Sequence, residues 1–440
     1  MVDYGMIVVL GILVAVFSVL TIEDQQNVGA VAGSELAEKI KDTDGPQSVV
    51  IVAPGDLGTL LIEELTAQLE GTEHRVIGKV QGTPADAVDQ FQALEAAGEK
   101  ATIVACTPQT ARWAPLEKRD QHAAIAGSTV VTPDKYKWPT VLTRGNLLNV
   151  AQQISIIAII AIGMTLVIVT AGIDLSVGSL IALAAVTSMM LIRDVAGAED
   201  ATIAGMILCG LAGVGACGLM GLTSGFFVAA FRLPAFIVTL AMMLMARGLA
   251  MILTRAESIN EVPDAFGWLG AGRTVGVPNS VILMFVLYGA AHFVMSRTKL
   301  GRHIYAIGGN EEAARLSGVP VRRVLLIVYT ACGLFAGLGG VIMASKHRGV
   351  EPNVGAMAEL TVIAAVVVGG TSLMGGQGKI FGTLIGAFII AVIKNGMNQV
   401  NVSSFAQDFV LGAVILGAVL ADQWRKGQVS WQNLRSLFTR

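Results

Sequence analysis

From residue 147 onward the sequence is almost continuously apolar, interrupted into runs at residues 151–170, 175–192, 203–227, 235–254, 281–295, 324–344, 360–373, 381–393 and 409–420. Several approach the length of about 20 residues at which a helix crosses the hydrocarbon core of a bilayer. With a further run at residues 5–21 there are ten, and a chain built this way cannot bury its apolar surface in one soluble core. It reads as a polytopic membrane protein. The charged fraction of 14%, against about 25% in soluble domains, supports that reading. Only 6% of residues are aromatic while 51 are glycine, which favours helices packed through small faces over a barrel with aromatic girdles. The 30 Lys and Arg are balanced by 32 Asp and Glu, so nothing would track a nucleic-acid backbone.

The first run has no Lys or Arg before it and no A-x-A-like cleavage site after it, so it is expected to stay as an uncleaved first span over residues 1–21. Residues 22–147 then turn charged and soluble. Short β-branched runs at 48–53, 75–80 and 101–106 alternate with helical periodicity at 57–69 and 85–97, which predicts a small parallel α/β domain. The expected fold is therefore an all-α polytopic membrane protein of about ten transmembrane helices, with a small α/β extracytoplasmic domain inserted after the first helix. A transmembrane domain is expected over residues 148–424 and a short tail over 425–440. The connection at 297–323 carries Arg297, Lys299, Arg302, Arg315, Arg322 and Arg323, and the tail carries Arg425, Lys426, Arg435 and Arg440. By the positive-inside rule both are cytoplasmic. An even number of spans places both termini there and residues 22–147 outside.

Catalytic and metal-binding residues are not expected. Cys106, Cys209, Cys217 and Cys332 show no C-x-x-C spacing and read as small core residues, and the five histidines are scattered. Gly213, Gly215 and Gly218 fit G-x-G-x-x-G but lie inside an apolar run, which makes them a helix-packing surface. Gly378-Lys379 resembles the end of a phosphate-binding loop, yet Leu373 and Ile380 stand where a glycine and a Ser/Thr are required. This chain is not expected to hydrolyse ATP or to hold a cofactor of its own.

The connection between two late spans reads Glu312-Ala313-Ala314-Arg-Leu-Ser-Gly318. It resembles the E-A-A-x-x-x-G loop of ABC-importer permeases, in which a short small-faced helix docks into an ATPase subunit and a glycine turns the chain. Three further stretches resemble ribose/xylose-type sugar permeases: residues 168–179 with Gly172, Asp174, Ser176 and Ser179; residues 232–240 with Thr239; and residues 359–378 with Glu359, Thr371 and a glycine cluster. The resemblance runs from about residue 147 to 424. It implies a bacterial inner-membrane permease that pairs with a second copy or paralogue, contacts cytoplasmic ABC ATPases that bind the ATP, and receives a monosaccharide from an extracytoplasmic binding protein. Related permeases carry branched-chain amino acids or autoinducer-type sugars. Residues 75–105 resemble part of one lobe of a periplasmic sugar-binding protein, a feature such permeases usually lack.

Asp174, Glu359, Lys394 and Asp408 lie in or beside apolar runs, where an ionisable group is costly and faces protein or water. Asp174, Ser176, Ser179, Thr239, Glu359 and Thr371 are accordingly candidate translocation residues, while a second reading has Asp174, Ser176 and Ser179 merely capping a span at the cytoplasmic surface. Two other classes compete with the ATP-driven importer. An ion-coupled secondary transporter would be built from two similar halves, and no clear repeat is visible in the sequence. A membrane-anchored receptor would leave the many spans without a use.

Overall fold

The computed structural model describes residues 2–425, so most of the expected tail lies outside the described residues. The described chain divides into two compact units, one of them Ile22–Thr140 and the other everything else. The smaller unit contains β1 (Ile22–Gln26), α2 (Gly29–Lys41), β2 (Ser48–Val52), α3 (Gly55–Leu69), β3 (Arg75–Val80), α4 (Pro84–Ala96), β4 (Ile103–Cys106), α5 (Ala114–Glu117), β5 (Thr129–Val131) and β6 (Lys135–Pro139). A first helix, α1 (Val2–Leu20), precedes it. Strands β2 to β5 form a parallel sheet in the order β3-β2-β4-β5. Alternate residues of β2 serve opposite faces. Val49 and Ile51 pack under Leu36, Ile40, Leu61 and Leu65 of α2 and α3, while Val50 and Val52 meet Phe91 of α4 and Leu116 of α5. Burial pushes the Cys106 thiol up to about 12, so it stays protonated and unreactive in the folded unit.

The antiparallel ribbon of β1 and β6 pairs Ile22 with Pro139, so the chain enters and leaves this unit at one point. The unit closes at Thr140, before the apolar run begins. Residues 141–147 already belong with the helices, because Asn146 at the start of α6 bonds Asn395 and Gln399 there.

The larger unit continues with α6 (Arg144–Val169), α7 (Val177–Asp194), α8 (Ile203–Phe231), α9 (Ala235–Thr254), α10 (Asn279–Arg297), α11 (Lys299–Gly309), α12 (Glu311–Leu316), α13 (Val321–His347), α14 (Ala358–Val368), α15 (Ile380–Gln399) and α16 (Ser404–Arg425). Among the described residues seven helices are long and apolar enough to cross a membrane: α6, α7, α8, α9, α10, α13 and α15. The apolar parts of α1, α14 and α16 are shorter. The run at 360–373 is thus only part of a crossing: α14 stops at Val368, and Gly370 (φ 84°), Gly375 (φ 83°) and Gly376 (φ 70°) turn the chain.

The contacts reveal a repeat that the sequence conceals. Helix α6 packs against α14 and α15, and α13 packs against α7 and α8. Each long helix is followed by a broken segment, then a helix that starts inside the unit, then two more. The order α6–α9 thus recurs as α13–α16 with reversed direction. Helix α6 ends beside the connector helices, where the Gly376 amide donates to Val169 O at 2.9 Å, whereas α13 begins there. We call this the connector end and its opposite the far end. Met6 of α1 lies by Gly382 and Phe17 by Gly396, so α1 runs parallel to α15 and ends at the far end.

Glycines set how closely these helices meet. A methyl on Gly333 of α13 would overlap the Cys217 carbonyl of α8, one on Gly221 would overlap the Tyr329 carbonyl, and one on Gly386 of α15 would overlap the Ala365 carbonyl of α14. Gly213 and Gly218 pack the same way, against Ala184 and Leu334, as the helix-packing reading requires. Gly333→Leu should therefore destabilise the detergent-purified protein by about 1–3 kcal/mol, the usual cost of overpacking. Gly215→Leu, at a position with open space around it, should leave the melting temperature near wild type.

Candidate translocation site

The site lies where the two repeats are broken. Helix α6 ends at Val169, and the chain reverses through Thr170, Ala171 (φ 62°) and Gly172 before α7 begins at Val177. A methyl on Gly172 would overlap the Tyr329 hydroxyl of α13, so only glycine lets the turn sit this close. Asp174 is 0% exposed. Its Oδ1 accepts from the Ser176 amide at 2.9 Å and from Ser176 Oγ at 2.6 Å. This is the local turn that an Asp makes with the residue two positions on, and it launches α7. Thr239 of α9 closes the break from outside: its Oγ1 accepts from the Leu175 amide at 3.2 Å and lies 3.1 Å from Ile173 O. Such partners are what exposed backbone needs in a medium without water.

The second break, after α13, passes through Arg348 (φ 49°), Gly355 (φ 79°) and Met357 (φ 66°). It leads into α14, with Glu359 in the first turn and 7% exposed. The two breaks touch. A methyl on Gly178, at the start of α7, would overlap both Glu359 Oε2 and the Gly355 carbonyl. The carboxylate of Glu359 thus sits by the N-termini of two helices, where their dipoles favour negative charge.

Asp174 Oδ2, Ser179 Oγ, Glu359 Oε2 and Thr371 Oγ1 are buried without a hydrogen-bond partner. Asp174, Ser176 and Thr239 come together at the first break, and Ser179 and Glu359 belong to the junction between the breaks. Thr371 stands apart at the connector end, against Gly378, whose carbonyl accepts from Tyr305 Oη at 2.7 Å. The surface-cap reading of Asp174 is corrected by its full burial: the residue is inside the unit, and the N-cap position of α7 belongs to Ser176. Gly178 lies in the 168–179 stretch whose glycines sequence reasoning reads as helix breakers, but that reasoning missed Gly355 and Tyr329. Their only signal is membership of apolar or glycine-bearing stretches, which packing alone also explains.

Two cavities flank the junction. One, of about 700 Å³ at the connector end, reaches Gly172 and Tyr329 and is rimmed by Arg232, Arg322 and Arg323. The other, of about 650 Å³ at the far end, has residues 355–361 as its floor. They are counterparts under the repeat. The first lies by α8, α9 and α13, the second by α15, α16 and α6.

Connector helix α12 is held by Asn310, whose Oδ1 accepts from the Ala313 amide at 2.9 Å, and by the Glu312–Arg315 pair. Gly318 (φ 81°) then turns the chain into α13. Ala314 faces inward at 5% exposure and Leu316 faces out at 81%, so α12 presents an apolar side chain on a rigid, charged turn.

Broken helices meeting inside an apolar helical body, with a cavity on either side, define a membrane transport subunit. The chain belongs to the family described as the branched-chain amino acid transport system / permease component, whose model matches residues 146–419. It is similar to the ribose import permease protein RbsC of Escherichia coli K12, 47% identical over 292 residues, which is 64% of this chain and 87% of that protein. The Bacillus subtilis protein of the same name is 40% identical over 65% of this chain and 87% of its own length. The L-arabinose ABC transporter permease protein AraH of Azospirillum brasilense is 36% identical over 66% and 83%. No solved structure matches the chain.

If Glu359 and Asp174 line the path, their amides should separate. Asp174→Asn retains an oxygen that can accept from Ser176, so it should leave most solute uptake intact. Glu359→Gln removes the negative charge facing two helix N-termini, and turnover should fall more than in Asp174→Asn at equal expression. Wild-type uptake by both variants in membrane vesicles would show that neither charge serves transport.

Proposed function

We propose that this chain is the membrane-spanning subunit of an ATP-driven ABC importer for ribose or a closely related monosaccharide. The observation that carries this is 47% identity across 87% of a ribose import permease, and the family match over residues 146–419 includes both helix breaks and α12. The subunit is not itself an enzyme. It works with cytoplasmic ATPase subunits that bind the ATP, an extracytoplasmic sugar-binding protein and a second permease copy or paralogue, in the bacterial inner membrane. The inverted halves expected of an ion-coupled transporter are present, so a repeat cannot separate the two classes; membership of an ABC permease family favours the importer. The arabinose relative keeps a second sugar in view, and the family's description keeps a branched-chain amino acid.

Orientation follows from charge. The connector end carries Arg297, Lys299, Arg302, Arg315, Arg322 and Arg323 and faces the cytoplasm. Helices α1, α6 to α10 and α13 to α16 then make ten crossings or part-crossings, both termini are cytoplasmic, and the α/β unit is extracytoplasmic. That unit is one lobe, and sugar-binding proteins of the kind it resembles close two lobes around a ligand. We assign it a docking or structural role.

Docking of α12 into the ATPase has a direct test. Glu312→Lys loses the pairing with Arg315, and Gly318→Trp places a side chain where φ is 81°. Both variants should insert normally yet lose the stimulation of ATP hydrolysis by loaded binding protein; normal uptake by both would remove α12 from coupling.

Topology is tested by an impermeant maleimide on intact cells. A cysteine placed at exposed Ala93 should label, and one at exposed Leu316 should not. Native Cys106 is replaced first, since it lies in the same unit. Labelling at Leu316 but not Ala93 would invert the protein.

A further inference from the structure

The cavity at the far end holds two charges that nothing among the described residues uses. Lys394 of α15 and Asp408 of α16 both line it, together with Gln153 of α6 and Thr361 of α14. Lys394 is half-buried and Asp408 exposed. Neither forms a hydrogen bond or an ion pair with any described residue, although they carry opposite signs on walls of the same space. Within an apolar helical body an ionisable side chain is costly and is normally paired or turned to water. A purely structural pair would close on itself, as Arg348 and Asp264 do. The volume of about 650 Å³ falls within the range of small-molecule sites, roughly 300–1,000 Å³. Residues 355–358 of the second helix break line it, and the Gly355 carbonyl there also meets Gly178 at the start of α7.

We propose that this cavity is the sugar's first seat in the permease, with Lys394 and Asp408 as the pair that recognises its hydroxyls. The inference rests on the sugar-import reading above. A monosaccharide is neutral, and each hydroxyl both donates and accepts. A carboxylate can accept from two adjacent hydroxyls, and an ammonium group can donate to a third or to the ring oxygen. Thr361 and Gln153 add a hydroxyl and an amide, while Ile157 and Leu411 offer apolar contact to the ring's C–H faces. Charge-assisted bonds to a neutral ligand hold it without the strength of an ion pair, so it can be released inward. The connector-end counterpart is rimmed instead by arginines, which suits a surface facing the cytoplasm and its ATPase partner better than a selective seat.

The test uses the complete importer in proteoliposomes, with ATPase, permease and ribose-loaded binding protein, and measures ribose moved per ATP hydrolysed. Lys394→Gln and Asp408→Asn should each lower that ratio at least about tenfold, the loss expected when a charge-assisted hydrogen bond is removed. Binding-protein-stimulated ATP hydrolysis should persist, which also shows that the variants are folded. The double exchange Lys394→Asp with Asp408→Lys should not restore the ratio. Restoration by the exchange would make the two residues an ion-pair latch formed in another state, and an unchanged ratio in both single variants would make them scaffold; either overturns the assignment. Wild-type protein that moves leucine but no ribose would overturn the sugar-import reading itself, since a zwitterion would satisfy both charges at once.

Discussion

The structure depends on how unpaired backbone groups are satisfied where helices stop inside an apolar medium. An unpaired amide or carbonyl in hydrocarbon costs several kcal/mol, so a break survives only where other parts of the protein supply partners. Here each break is supported by the other repeat or by the last helix of its own. Thr239 of α9 reaches Leu175 and Ile173, Gly355 of the second break seats against Gly178 of the first, and Glu359 faces the start of α7. Neither break can rearrange without disturbing its counterpart.

Close glycine contacts bind the helices both between the repeats and within one of them. Between α8 and α13 the backbones touch at Gly221, Gly333 and Gly337, and between α14 and α15 at Gly369, Gly382 and Gly386. Lipid supplies little driving force for helix association, and packing of small residues replaces it. Helix α10 lies outside both repeats and is held by a different device. Its buried Tyr288 donates from the hydroxyl to Ala158 O of α6 at 2.9 Å, which gives the phenol the partner that burial requires.

Much of this is legible in the sequence, and the remainder is hidden for identifiable reasons. Apolar runs mark the helices because burial in lipid leaves no other composition possible, and the Asp174-x-Ser176 spacing marks a turn. Hydropathy counts residues 360–373 as one span because glycines score as neutral, although Gly369, Gly370 and the residues after them end α14 and turn the chain. The depth of Asp174 is also hidden, since a turn at the membrane surface and a turn inside the protein use the same residues. The inverted repeat is invisible because packing direction, not residue identity, relates α6–α9 to α13–α16. What the two halves share is a place to break.

The unsatisfied atoms follow from the same constraint. Burying a polar atom without a partner costs about 1–3 kcal/mol, and a scaffold under selection for stability alone would replace it with carbon. Glu359 Oε2 and Ser179 Oγ nevertheless stay unpaired at the junction, and Asp174 Oδ2 stays unpaired at the first break. Thr361 leads to them from the other side, at the floor of the far cavity. A neutral solute crossing between the cavities needs acceptors that are not already occupied, because each bond it makes must replace one it has just lost. Under the proposed transport reading, these unpaired atoms are acceptors such a solute would use, and their cost in stability is offset by that use.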